Sequence, residues 1–268
     1  MADDESYIRH VLAEICHRYP FEIGFSLSSK GQSFELGGSI QHPSASLIKL
    51  PIALTLCHEV EATRISLHER VPINADYRCG GTGVLEDLTS LETIAVSDLM
   101  RLMISASDNM ATNMLIERLS PQTINNWCRT SGLPATELNR RMMDIEAIEA
   151  GIENRTSADD MVRCLEQLRK RASPAIEVAW QAMIRQQHRL GLPNGEYRAD
   201  HVSIGNKTGS FAALEHDVAL FETQSSALAI AVLTSGAPDK ATAFSALGEL
   251  GRFVRKLATE AVSQRNDS

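Results

Sequence analysis

Ser46-Leu47-Ile48-Lys49 sets a hydroxyl and an amine three residues apart at the opening of an apolar run. If that run is a helix, positions i and i+3 share a face, so the Ser46 Oγ and the Lys49 amine converge. A lysine beside a serine is one way to make the hydroxyl nucleophilic without a histidine, for covalent attack on an acyl carbon. Alone the pattern is weak, because S-x-x-K arises by chance about once in a chain of this size. As a lone match it reads as a serine N-cap followed by a solvated lysine. Two further polar clusters stand in apolar surroundings: Ser107-Asp108-Asn109 and Lys207-Thr208-Gly209. Taken singly, the first reads as a helix cap with a hydrogen-bonded turn and the second as a bulged strand end.

The elements that must position these groups follow from hydrophobic period. Tyr7, Ile8, Val11, Leu12, Ile15 and Tyr19 recur at helical spacing, predicting a helix that ends before Pro20. Residues 21–28 and 33–40 alternate like two strands of a hairpin. A helix is predicted from Ser44 to about Arg64 with an irregular start, since Pro51 has no N–H for the Leu47 carbonyl. The glycine-rich segment 72–91 reads as a loop, and its Gly80-Gly81-Thr82-Gly83 lacks the strand and helix that a phosphate cradle requires. Residues 96–119 are helical in period but broken by Ser105 to Asn109, the kind of local violation that functional sites leave. Helical pattern returns at 124–129, 158–170 and 174–187, with a long polar loop from Gly132 to Thr156. Three strands, 201–210, 217–222 and 228–234, precede a helix over 241–261 and a polar tail expected to fray.

A lone hairpin is marginal in water, so the early strands are expected to join the late ones in one antiparallel sheet flanked by the terminal helices. This gives an α/β fold with residues 1–40 and 200–268 in one lobe and 41–199 in an all-helical lobe, and a cleft where the two meet. The 43% apolar content supports a substantial core, and the net charge of −8 argues against a nucleic-acid or polybasic membrane-surface partner. No apolar run is long enough to span a bilayer, and the N-terminus lacks the basic and apolar regions of a secretory signal. Five scattered cysteines without C-x-x-C spacing fit reduced, buried thiols, so a cytoplasmic setting is expected. His58-Glu59 and His68-Glu69 lack zinc spacing, and no motif calls for a metal or cofactor. Nothing in the sequence signals an oligomer.

Taken in order, S-x-x-K, S-D-N and K-T-G resemble the class A β-lactamases and the penicillin-binding proteins. The resemblance covers nearly the whole chain, with a similar separation between the first two motifs. It implies the β-lactamase/transpeptidase-like fold, a five-stranded antiparallel sheet with an all-helical lobe, and acylation of a serine. Carried over to this chain, Ser46 is the nucleophile and Lys49 its base, with a pKa lowered by burial beside the cation Lys207. Ser107 relays the proton to the leaving group, and Asn109 orients Lys49 and the substrate. Lys207, Thr208 and Gly209 serve a carboxylate on a small-molecule substrate, and the backbone N–H groups of Ser46 and Ser210 hold the oxyanion.

The chain departs from the family in two ways. The glutamate of E-x-x-L-N, which activates the deacylating water, corresponds to Ala135 in Ala135-Thr136-Glu137-Leu138-Asn139. The loop that follows is longer, and Glu137, Asp144, Glu146 or Glu149 could fold back to replace it. Asp144 is the first choice, against the more ordinary alternative of a salt bridge to Arg140 or Arg141. The family disulfide is also not evident, since Cys57 lies too far from Ser46. The reading is a β-lactamase-like serine hydrolase acting on a lactam, amide or ester. Its alternatives are a D-amino-acid peptidase or esterase of the same fold, or a slowly acylating penicillin-binding sensor without turnover. His216, on a strand beside Asp217, reads more commonly as a structural histidine than as a cleft residue.

Overall fold

The structure, a computed structural model, describes residues 2–29, 31–195, 198–199, 202–212, 214–224 and 226–266. Asp200 and His201, at the expected lobe boundary and strand start, and Asp267 and Ser268 of the tail lie outside the described residues. In chain order the elements are α1 (Ala2–His17), β1 (Glu22–Ser29), β2 (Gln32–Leu36), β3 (His42–Pro43) and α2 (Lys49–Glu61). Next come β4 (Arg70–Pro72), β5 (Thr93–Ala95), α3 (Val96–Ser105), α4 (Asn109–Leu119), α5 (Pro121–Thr130) and α6 (Ile145–Glu149). The chain continues through β6 (Arg155–Thr156), α7 (Ala158–Arg169), α8 (Pro174–Ile184) and β7 (Arg198–Ala199). It closes with β8 (Val202–Phe211), β9 (Leu214–Glu222), β10 (Ala227–Ser235) and α9 (Lys240–Asn266).

The main sheet runs β2-β1-β10-β9-β8-β7, with every neighbouring pair antiparallel. Its five long strands are those expected, and the two-residue β7 extends the β8 edge. Strand alternation sorts the side chains into two cores. Ile23, Phe25, Leu27, Phe221, Ile230 and Val232 pack with Leu12 and Ile15 of α1 and Leu247, Leu250 and Val254 of α9. Val218, Leu220, Ala229, Ala231 and Leu233 face the opposite way, into the core that contains α2, α7 and α8.

At the centre of that second core lies α2, where every residue from Lys49 to Cys57 is buried. A helix that is apolar all round belongs in an interior, and each fully buried Leu or Ile contributes about 2 kcal/mol. Lys49 enters this interior as the first residue of α2. A 3-10 turn, Ala45–Ile48, precedes it, so the irregular start expected around Pro51 takes the form of a tighter turn carrying Ser46. The predicted break between residues 105 and 109 separates α3 from α4. The loop expected over 132–156 contains the short α6, and α9 continues past its expected end to Asn266. All five cysteines are free thiols, four of them buried and Cys79 half-buried. Among the described residues no helix is long and apolar enough to cross a membrane.

Candidate active site

The Ser46 turn is fixed from both sides of the molecule. Ser44 N–H donates to Asn154 O at 2.7 Å, and β3 pairs with β6 at the end of the long polar loop. On the sheet side, the β8 backbone closes under the turn at Gly209, where a Cβ would lie 3.1 Å from Ser44 O and 3.2 Å from Leu47 Cγ. From β9, His216 Nε2–H donates to Pro43 O at 2.9 Å, while its Nδ1 accepts from Thr234 N–H at 3.0 Å. Burial lowers the His216 pKa to about 4, so the ring is neutral and both nitrogens are committed. His216 is thus a structural residue that helps hold the turn, as the ordinary reading of a strand histidine expected. Ala45 sits at φ +44° directly before Ser46, a left-handed conformation that a non-glycine residue keeps only where surrounding contacts hold it.

Three motifs distant in sequence meet behind that turn. Lys49 Nζ donates to Ser107 O at 2.6 Å and to Asn109 Oδ1 at 2.8 Å, and lies 3.1 Å from Ser107 Oγ. Lys207 Nζ approaches the same Ser107 Oγ at 3.0 Å and donates to Thr208 O at 2.7 Å. The Ser107 hydroxyl therefore bridges two lysines, both of them fully buried. Desolvation, reinforced by the charge of Lys207, holds the Lys49 pKa well below the ordinary lysine value. Burial likewise lowers Lys207 to about 7, with Asp217 on β9 pulling it back up.

Asp217 is itself buried beneath β8. It accepts from Asn206 Nδ2 at 3.0 Å and from Leu192 N–H at 2.9 Å, and burial raises its carboxyl to about 7. Asp108 does the scaffolding between Ser107 and Asn109. Its Oδ1 caps α4 through Ala111 N–H at 2.8 Å, and its Oδ2 takes Val84 N–H at 2.7 Å and Leu85 N–H at 2.8 Å. This docks the glycine-rich loop against the site, and Thr82 Oγ1 donates to Ser107 O at 2.7 Å. The loop is a wall of the site, with Thr82 lining both cavities that open at Ser46.

Gly81 makes that docking possible. It holds φ +80°, and a Cβ there would lie 2.5 Å from Asn109 Nδ2 and 3.3 Å from Met143 Sδ. Asn109 cannot easily yield, because its Oδ1 binds Lys49 and its Nδ2 donates to Gly80 O at 3.1 Å. Gly81→Ala is expected to slow reaction at Ser46 by about tenfold or more through this displacement. Stopped-flow acylation, with a thermal melt to monitor folding, would measure the effect.

Two cavities open at Ser46. One of about 290 Å3 is lined by Ser46, Thr82, Ser107, His188, Thr208, Ser210, Glu215 and Lys240, among others. On its wall Lys240 Nζ pairs with Glu215 Oε1 at 2.7 Å and donates to Ser210 Oγ at 2.8 Å, while Ser210 Oγ donates to the same carboxylate at 2.7 Å. The second, about 230 Å3, is lined by Ala45, Ser46, Gly81, Thr82, Asn109, Arg140, Met142, Met143, Ile148, Ser210 and Phe211.

The expected site residues do not all line these cavities. Gly209, expected to contact substrate, lines neither cavity, because strand alternation turns it onto the Ser44–Leu47 turn while Thr208 and Ser210 face outward. Lys207 does not reach the cavity wall, being fully buried on Ser107 and Thr208. Lys240 and Arg189 do line the larger cavity, and no motif marks either of them. Ala135 is also absent from the wall, its carbonyl accepting from Gln41 Nε2 at 3.1 Å. The long loop instead presents Arg140, Met142, Met143 and Ile148.

None of Glu137, Asp144, Glu146 and Glu149 lines either cavity. Asp144 caps α6 by accepting from Ala147 N–H at 3.1 Å, and neither arginine pairs with it, since Arg140 binds Glu153 and Arg141 binds Glu117. Among the described residues no cluster of His, Cys, Asp and Glu is suited to a metal ion.

A family model described as the beta-lactamase enzyme family matches residues 6–258. Among solved structures, the chain is similar to a beta-lactamase from Sphaerobacter thermophilus, with a TM-score of 0.83 and 25% identity over 92% of this chain and 96% of that one. It is also similar to PBP-A, with a TM-score of 0.84 and 23% identity over 96% of each chain. A beta lactamase from Xanthomonas campestris gives a TM-score of 0.83 and 22% identity, covering 94% of this chain and 97% of that one. A comparison with curated protein sequences found no match.

Proposed function

Because the chain belongs to the beta-lactamase enzyme family, we propose that it is a serine hydrolase in which Ser46 is acylated by a lactam, amide or ester and the acyl-enzyme is long-lived. The observation that carries the acylation step is the Ser107 hydroxyl held 3.1 Å from Lys49 Nζ and 3.0 Å from Lys207 Nζ. The lowered pKa favours the neutral amine of Lys49, and in that form it takes the Ser46 proton as the Ser46 Oγ–carbon bond forms. The backbone N–H groups of Ser46 and Ser210 receive the oxyanion. When the intermediate collapses, the bond from the acyl carbon to the leaving atom breaks. The proton then passes from Lys49 through the Ser107 hydroxyl to that atom.

A carboxylate on the leaving group is met by Thr208 and Lys240, with Glu215 and Ser210 holding the lysine in place. Slow release of the acyl group rests on a different observation. The cavity on the loop side of Ser46 is walled by Met142, Met143 and Ile148 and, among the described residues, presents no carboxylate to activate water. That favours an acyl-transfer or penicillin-binding role over rapid lactam hydrolysis.

A chromogenic cephalosporin read beside intact-protein mass spectrometry tests both parts. A Ser46-dependent mass adduct that outlasts a single burst of colour is the expected result. Steady turnover at a rate far above adduct decay would overturn the long-lived intermediate. An adduct that persists in Ser46→Ala would remove Ser46 as the nucleophile.

A further inference from the structure

We infer that the natural substrate carries an apolar acyl group, seated in the cavity formed by Met142, Met143, Ile148 and Phe211. This rests on the acyl-Ser46 reading and deepens it by naming a substrate class. The first step is to decide which cavity takes which half of the substrate. The leaving atom must receive a proton from Ser107, and Ser107 lines the larger cavity, together with Thr208 and Lys240, but not the smaller one. The leaving group therefore departs into the larger cavity, whose wall carries Lys240, Glu215 and Arg189 beside Leu190 and Phe244. The acyl half is left to the smaller one, which also opens on Ser46 and lacks Ser107.

The chemistry of that smaller cavity is set by the long loop. Asn113 clasps the Met142 backbone, accepting Met142 N–H at 2.8 Å and donating to Met142 O at 3.1 Å. Asn154 holds the stretch before it, with Oδ1 accepting Asn139 N–H at 2.8 Å and Arg140 N–H at 2.9 Å. Met143 is fixed at φ +56° and lies over Gly81, which has no side chain to exclude it. α6, capped by Asp144, turns Ile148 into the cavity while Ile145 remains outside as an exposed residue.

Arg140 is the charged side chain on this wall, and its guanidinium is engaged by its own loop. It pairs with Glu153 at 2.7 Å and donates to Ile152 O at 3.0 Å and to Arg141 O at 3.1 Å. A charged or strongly polar acyl group would lose its hydration here and find few partners. An aliphatic or aromatic one gains binding with each carbon it buries. Methionine suits such a wall because its unbranched thioether adapts to ligand shape.

The test is a series of p-nitrophenyl esters, acetate, butyrate and hexanoate, followed as the pre-steady-state burst and corrected for each ester's hydroxide-catalysed rate. The corrected acylation rate constant is expected to rise about tenfold or more from acetate to hexanoate. In Met143→Asn and Ile148→Asn the hexanoate-to-acetate ratio should fall severalfold; asparagine tolerates the left-handed backbone at position 143. A Ser46-dependent burst with no chain-length preference in the wild type overturns this inference and leaves acyl-Ser46 standing. The same holds for a preference that both variants leave unchanged. No Ser46-dependent burst with any ester or with the cephalosporin overturns both.

Discussion

Replacing Lys49 with alanine is expected to lower the acylation rate constant by roughly a thousandfold, the scale of a well-placed general base. Lys49 is the first residue of a wholly buried helix, and its amine is bonded to Ser107 and Asn109 without exposure to water. Burial and the second cation keep its pKa well below the usual range. The base is the deprotonated amine, so wild-type acylation should increase as pH rises through the lowered pKa and level off above it. Lys49→Ala should lose that limb along with the rate.

The fold should tolerate the change. Asn109 Oδ1 is left short of a donor, at a penalty of about 1–3 kcal/mol, but a desolvated amine is removed with it. Ser107 O keeps its bond from Thr82 Oγ1 at 2.7 Å. Burst kinetics across a pH series, with a thermal melt of the variant, give the answer. A burst rate within threefold of wild type would show that the proton leaves Ser46 by another route.

The second large effect lies on the other side of Ser46. Met142→Glu is expected to shorten the acyl-enzyme lifetime by about a hundredfold, turning a burst into turnover, because it supplies the missing base to a water on the loop side. Position 142 suits the purpose because Asn113 grips the backbone from both sides and the side chain already lines the cavity that contains Ser46 and Asn109. Burial raises a carboxyl pKa, so the acceleration should grow with pH until the new glutamate is ionised. Recovery of the unmodified mass after removal of excess cephalosporin measures it directly. An unchanged recovery rate would mean that water, rather than the base, is what this cavity withholds.

The motifs and the hydrophobic period made the meeting of Lys49, Ser107, Asn109 and Lys207 behind the Ser46 turn, and the sheet, readable from sequence. Each motif lies where a local signal is strong: a proline-disturbed helix start, a polar break in an apolar helix, an alternating strand. Less was readable where position depends on contacts between distant segments. Ala135 matches a short pattern by residue order, but the side of the loop facing Ser46 is chosen by Asn113 and Asn154, which grip Met142 and Arg140. Asp144 has the right chemistry for a base, yet the local demand of α6 for a cap claims it.

Lys240 gave no sign because its role depends on Glu215 and Ser210, two strands away in the fold. Thr82 was hidden in a loop read only for its glycines. Gly209 was assigned to substrate as part of its motif, whereas strand alternation turns it inward under Ser44 and Leu47.

The place of β10 in the sheet has a consequence for how the protein is made. β10 lies between β1 and β9, and it is the last strand in the sequence. While the chain is being synthesised, the hairpin of β1 and β2 waits with an unpaired edge until Ala227–Ser235 is available to fill it. The Ser46 turn waits too, since Gly209 packs beneath it and His216 donates to Pro43 O from strands that arrive late. Long-range pairing of this kind folds slowly. A nascent chain therefore carries Ser46 for most of its synthesis without a seat for it, and on the proposed mechanism that serine becomes reactive only in the last steps of folding.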